Sequence, residues 1–161
     1  MDLLDRLLGH DAWTTRQLIT IAATLSDDQL DREFDIGHRS VRATLVHIVA
    51  NMEMWSAMMA GEPVERPARL RSGPAMSELV TRLDVAAARL ARIARSIAAR
   101  GAWDESWLDI LDDPPARKSY GGAIAHVITH RMHHRAQVLY MLRRLGLTNL
   151  PEGDVLSWEG R

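Results

Sequence analysis

Four of the chain's seven histidines stand inside the stretch HVITHRMHHRAQ, residues 126–137. A neutral imidazole nitrogen binds divalent transition metals, and two imidazoles at positions i and i+4 of one helix can reach the same ion. On a helix turning about 100° per residue with His130 at zero, His126 falls at about −40°, His133 at about −60°, His134 at about +40° and Gln137 at about −20°. The apolar residues Val127, Val138 and Leu145 fall at about +60° to +80°, and Ile124 and Leu142 at about +120°. His134 is therefore expected to point inward and His133 outward, which makes His130 and His134 the preferred ligand pair. Arg131 and Arg135 fall in the apolar sector, which calls for buried ion pairs or a subunit interface.

A two-histidine site in a helical bundle needs a third ligand from another inward-facing helix. His47, in ATLVHIVANMEMW, is flanked by Leu45, Val46, Ile48 and Val49, with Asn51 one turn further on the same face. An imidazole in that setting is either a hydrogen-bonded core group or a ligand, and the histidine-dense segment downstream favours the ligand. A zinc protease is disfavoured, because its helix motif needs Glu directly after the first His and Arg131 stands there. The chain has no cysteine, so disulfides, thiolate nucleophiles and Cys-based metal sites are excluded. It also has no G-x-S-x-G elbow, P-loop or dinucleotide fingerprint.

The elements that must position these residues are helical. Leu3, Leu4, Leu7, Leu8, Leu18, Ile21 and Leu25 recur at helical spacing, which predicts a first helix over 2–25. Ser40 is a plausible cap for a second helix running to about Ala60. The segment GEPVERPARLRSGP, 61–74, reads as a loop. A third helix, rich in Ala, Leu and Arg, opens near Ser77 and ends at Gly101, and its arginines Arg82, Arg89, Arg92, Arg95 and Arg100 read as a solvated face. Residues 102–119 are irregular, with a short extended piece expected before Pro114 and Pro115. A fourth helix runs from about Gly121 to Leu145, stopped by Gly146. Trp13, Trp55, Trp103, Trp107 and Trp158 and the segment NMEMWSAMM read mainly as packing residues. Residues 1–161 are thus expected to form one all-α domain, a four-helix bundle with long connections.

The hydrophobic content of 47 % and charged content of 25 % are those of an ordinary globule, which agrees with one domain. A net charge of −1 gives no basis for nucleic-acid binding. The longest apolar runs fall short of the roughly 18 residues of a membrane span, and no secretory leader is read at the start. The expected location is cytoplasmic.

The segments TLVHIVANMEMW and HVITHRMHHRAQVLYMLRRLG, with HDAW in the first helix, resemble the DinB/YfiT-like family over nearly the whole chain. The family carries a lone His in its second helix and H-x-x-x-H-R-G-Q in its fourth. Here the last element reads HRMHHRAQ, with Ala136 where the family commonly has Gly. The resemblance implies His47, His130 and His134 as ligands of a divalent metal, usually nickel or zinc, in a bundle that often forms a homodimer. It also implies thiol-dependent transferases or isomerases, with a low-molecular-weight thiol such as bacillithiol or mycothiol as co-substrate.

Three neutral imidazoles leave a divalent ion with open positions, the arrangement of catalytic sites. Such an ion favours the anionic form of a bound water or thiol, so hydrolysis and thiol transfer of a small-molecule substrate are both compatible. His126 and His10 are the candidate proton acceptors, with an orienting role and a surface or capping role as their respective alternatives. Asn51 and Gln137 are candidates for lining the substrate pocket or for joining helices by hydrogen bonds. The competing function is a non-catalytic, metal-stabilised bundle acting as a stress-linked binding module, for which a fourth protein ligand would argue.

Overall fold

The structure, a computed structural model, describes residues 1–64 and 73–160. Four long helices carry the fold: α1 (Leu3–Ala22), α3 (Val41–Met59), α4 (Met76–Arg100) and α5 (Tyr120–Arg144). Between them lie a one-turn α2 (Asp27–Asp31) and a two-stranded hairpin, β1 (Ser106–Asp109) with β2 (Ala116–Ser119), and α6 (Val155–Glu159) closes the chain. Of the expected loop 61–74, residues 65–72 lie outside the described residues.

Local chemistry sets the helix ends. The side chains of Asp2, Ser40 and Ser119 accept from the third backbone N–H of α1, α3 and α5, so the exposed donors of each first turn are met. Gly101 ends α4 at φ 63°, a left-handed position where a side chain is costly. On α4 the buried residues Leu79, Leu83, Ala86, Leu90, Ala94 and Ile97 repeat at three and four residues and form one stripe. The opposite face is tied down more than expected for a solvated surface. Arg82 forms two bonds to Glu53 of α3 at 2.9 and 2.7 Å, and Arg95 bonds Asp5 of α1 at 2.8 Å.

α1 and α3 each pack against both α4 and α5, so α1 lies diagonally across from α3. The connection from Ala23 to Ser40 therefore passes across one end of the bundle. It is anchored there by α2, whose Ser26–Gln29 capping box starts the turn. Buried Arg42 of α3 pairs with Asp27 and, at 2.7 Å, with Asp31, which clamps α2 against the start of α3.

The expectation of one extended piece before the prolines falls short of what forms, which is an antiparallel hairpin with Ser106 opposite Ser119 and Asp109 opposite Ala116. The second strand, ARKS, has no apolar alternation to announce it, because its side chains are mostly half-exposed. Trp107 of β1 packs edge-on against Trp55 of α3, ring centroids 5.8 Å apart, which seats the hairpin on the bundle. At the other terminus Trp158 of α6 lies over α1 where Gly9 leaves room, since a Cβ there would stand 2.7 Å from the indole. Among the described residues no helix is long and apolar enough to cross a membrane.

Candidate metal centre

α3 and α5 pack against each other and bring His47 to the histidines of α5. The His47 ring centroid is 4.6 Å from that of His134 and 5.3 Å from that of His130, and His130 and His134 are 4.4 Å apart. The three positions named from spacing therefore converge. His134 is buried and His133 is exposed, as the helical angles require.

The loop before α3 adds a residue that spacing did not point to. His38 stacks on His47 with centroids 3.8 Å apart and lies 5.1 Å from His134. One donor atom from each of His38, His47 and His134 lies within 4.8 Å of the other two, a group that could bind a metal ion. His130 is outside that group, although its Nε2 is 3.2 Å from Nε2 of His134. The two sets overlap at His47 and His134. A lone His in a loop without periodicity carries no signal beyond its residue type, which is why it was missed.

Hydrogen bonding fixes how His134 presents itself. Its Nδ1–H donates to Gln137 Oε1 at 2.8 Å, and the Gln137 amide donates in turn to His133 Nε2 at 2.9 Å. An oxygen at Nδ1 places the proton there and leaves the lone pair on Nε2, which faces His130. Gln137 is thus placed to orient His134. Asn51, one turn after His47, is buried with no hydrogen-bond partner at its side-chain oxygen among the described residues.

The electrostatics favour the neutral forms of His47, His130 and His38. Burial pushes the His47 pKa down to about 3, helped by repulsion from His38, His134 and His130. His130 is lowered to about 4, again chiefly by burial and then by His134 and the other neighbouring imidazoles. His38 moves in the same direction, through burial and His134. Neutral imidazoles are the form that binds metal, so these ligands require no deprotonation at neutral pH. His47 Nε2 and His130 Nδ1 are buried without a hydrogen-bond partner among the described residues. A dication bonded to His47 Nε2 would relieve the desolvation of that atom; at His130 the nitrogen that faces His134 is Nε2, so its Nδ1 is not the donor. The 3.2 Å between His130 and His134 also matches the edge of a tetrahedral site with metal–nitrogen bonds of about 2.0–2.1 Å, which is about 3.4 Å. The donors present therefore fit a divalent ion.

One consequence is an acid-sensitive metal-free protein. His47 and His130 titrate lower in the folded chain than the ordinary value of 6.5, so the unfolded chain takes up protons first as pH falls. Their contribution is whole above about pH 6.5 and is lost as pH falls through about 4 for His130 and about 3 for His47. Thermal melts of metal-free protein should show the midpoint falling across that window, and replacing His47 with Gln should flatten the fall.

His126 lies further along the α5 face, its ring 5.1 Å from His130 and 4.9 Å from Trp55. It borders a cleft of about 550 Å³ whose wall includes Trp55, Asp109, Asp112, Arg117 and Lys118. Lys118 is held by Asp112 at 2.7 Å, and the exposed Arg117 bonds Ser106 at 2.8 Å. Neither Asn51 nor Gln137 belongs to that wall. His10 is placed elsewhere: its Nε2 is 2.8 Å from the Gly153 carbonyl oxygen, and its ring meets Trp158 edge-on. Among the described ring contacts it alone of the seven histidines does not touch another imidazole.

The arginines in the apolar sector of α5 are explained by Asp11 of α1. Its two carboxylate oxygens pair with Arg131 and Arg135, and all three side chains are at least 97 % buried. Burial lowers the Arg131 pKa to about 10 against the attraction of Asp11, so the guanidinium stays charged at neutral pH. Each arginine directly follows a site histidine, so this triad sets the rotation of α5 that presents His130 and His134 to His47.

The comparisons with known proteins agree with this architecture. A crystal structure of a protein assigned to the DinB family from Exiguobacterium sibiricum 255-15 superposes with a TM-score of 0.65 at 23 % identity, covering 94 % of this chain and 95 % of that one. At that identity the likeness speaks for the fold. The search of curated proteins gave no sequence match. The sequence model of the DinB family matches residues 1–156, and the chain belongs to the DinB family.

Proposed function

We propose that the chain is a divalent-metal-dependent enzyme that uses His47, His130 and His134 to hold nickel or zinc, with a thiol-dependent S-transferase or isomerase reaction first and hydrolysis second. The observation that carries this reading is the group of mutually adjacent imidazoles of His47, His130 and His134 near an open cleft. A bound dication there supplies Lewis acidity, favouring the anionic form of a thiol or water.

The protein's own groups then divide the work. Gln137 keeps the proton of His134 on Nδ1. Asp11, through Arg131 and Arg135, fixes the helix that carries the pair. His126 stands at the cleft wall within one ring contact of His130, where it can accept a proton from a bound thiol or water. Trp55 gives the cleft an apolar side, and Arg117 and Lys118 with Asp109 and Asp112 give it a side of mixed charge.

One observation favours the second reading, a metal-stabilised bundle without catalysis: His38 supplies a fourth imidazole, enough to close a tetrahedral shell. A panel of low-molecular-weight thiols with small electrophiles separates the two. The enzyme reading expects turnover that needs both metal and thiol and that disappears with chelator. Metal-loaded protein that melts higher but turns over none of the panel would favour the structural reading.

A further inference from the structure

The four imidazoles differ in how they are mounted. His47, His130 and His134 project from long helices, whereas His38 sits on the loop 34–39 at the solvent edge of the cluster. That loop is built to turn inward. Phe34 N–H donates to Arg39 O at 2.6 Å and Arg39 N–H to Ile36 O at 2.9 Å, which closes it on itself. Gly37 takes φ 51°, a left-handed conformation that favours glycine, and a Cβ at this position would push the Gln137 side-chain amide out of its place beside His134. Arg39 takes φ 72°, a left-handed conformation that is uncommon outside glycine. Strain of that kind persists where the surroundings over-determine it, and here it holds the residue next to His38. The elements that flank the loop, α2 and α3, are joined by Arg42 with Asp27 and Asp31.

We infer that His38 is a fourth ligand of the metal centre, one that leaves when an external donor enters. This rests on the metal-site reading above. The donor atoms of His38, His47 and His134 lie within 4.8 Å of one another, so bringing these three to a tetrahedral edge of about 3.4 Å asks for a shift of at most about 1.4 Å, and His130, outside that group, already has its Nε2 3.2 Å from that of His134. With His38 bound, the shell is complete and water gains no place in it. A donor that competes with imidazole is then required to open the site, and a soft thiolate competes far better than water. This arrangement favours thiol chemistry over hydrolysis and lets one site be closed at rest and open at work.

Cobalt(II) titration of metal-free wild type and His38→Ala tests it. Wild type should bind about one cobalt per chain with the intense visible bands of a four-coordinate ion. His38→Ala should bind at least about tenfold more weakly and give weaker bands, and added imidazole should restore the wild-type spectrum. With 2-mercaptoethanol as the probe, half-saturation should fall at least about tenfold in His38→Ala, because no side chain has to be displaced. Equal far-ultraviolet circular dichroism of the two metal-free proteins establishes that the fold is intact. Identical affinity and spectra for the two proteins would overturn the role of His38 and leave the three-histidine site standing. Failure of the wild type to bind cobalt at all would overturn both.

Discussion

Asp11→Ala is expected to cost about 3–5 kcal/mol of stability, because it strands two buried guanidinium groups without their counter-charge. For a chain of this size that corresponds to a melting midpoint lower by roughly 6–20 °C. Exposed pairs provide the contrast. Arg39 with Glu33 is solvated on both sides, and its loss should leave the melting midpoint nearly unchanged. Metal affinity should fall together with stability in the Asp11 variant, since Arg131 and Arg135 follow His130 and His134 along α5. Thermal unfolding of metal-free protein checks the first effect, and a metal titration of the variant below its melting range checks the second. A loss under 1 kcal/mol would mean that the arginines find other partners and that the triad does not set the helix.

Replacing His130 and His134 together should do the opposite. Neither imidazole forms an ion pair, and burial holds His130 neutral, so the metal-free fold loses little, and its midpoint should move by only a few degrees. What disappears is the response to metal. An ion present at about one hundred times its dissociation constant stabilises the folded state by about 2.7 kcal/mol, a rise of roughly 5–11 °C that the wild type should show and the variant should lack. Turnover should vanish with it. If the variant fails to fold without metal, the two histidines are structural members of the core and the catalytic reading loses its main support.

The sequence was most readable where side chains repeat with a period or cap an end. The four long helices follow from such patterns, and Ser40 and Gly101 mark their ends as anticipated. The angular separation of His133 from His134 also held, because a one-residue step turns a side chain by about 100° and so decides burial. The two arginines in the apolar sector were placed correctly, but their partner was not visible, since Asp11 lies 120 residues from Arg131 and long-range pairing leaves no local trace. α2 was announced by its Ser26 to Gln29 capping box and could have been read. α6 and the second strand of the hairpin are too short for periodicity. His38 is the most consequential omission, and only the residue type and the preceding Gly37 marked it. His10, taken from spacing as a candidate proton acceptor, instead fastens the C-terminal segment through Gly153.

The central claim is that the histidine cluster holds a metal ion. Protein purified without an affinity tag and analysed for elements should carry about one nickel or zinc ion per chain, and removing it with a chelator should lower the melting midpoint. Protein that is free of metal, takes up none on reconstitution, and melts identically with and without chelator would contradict the account.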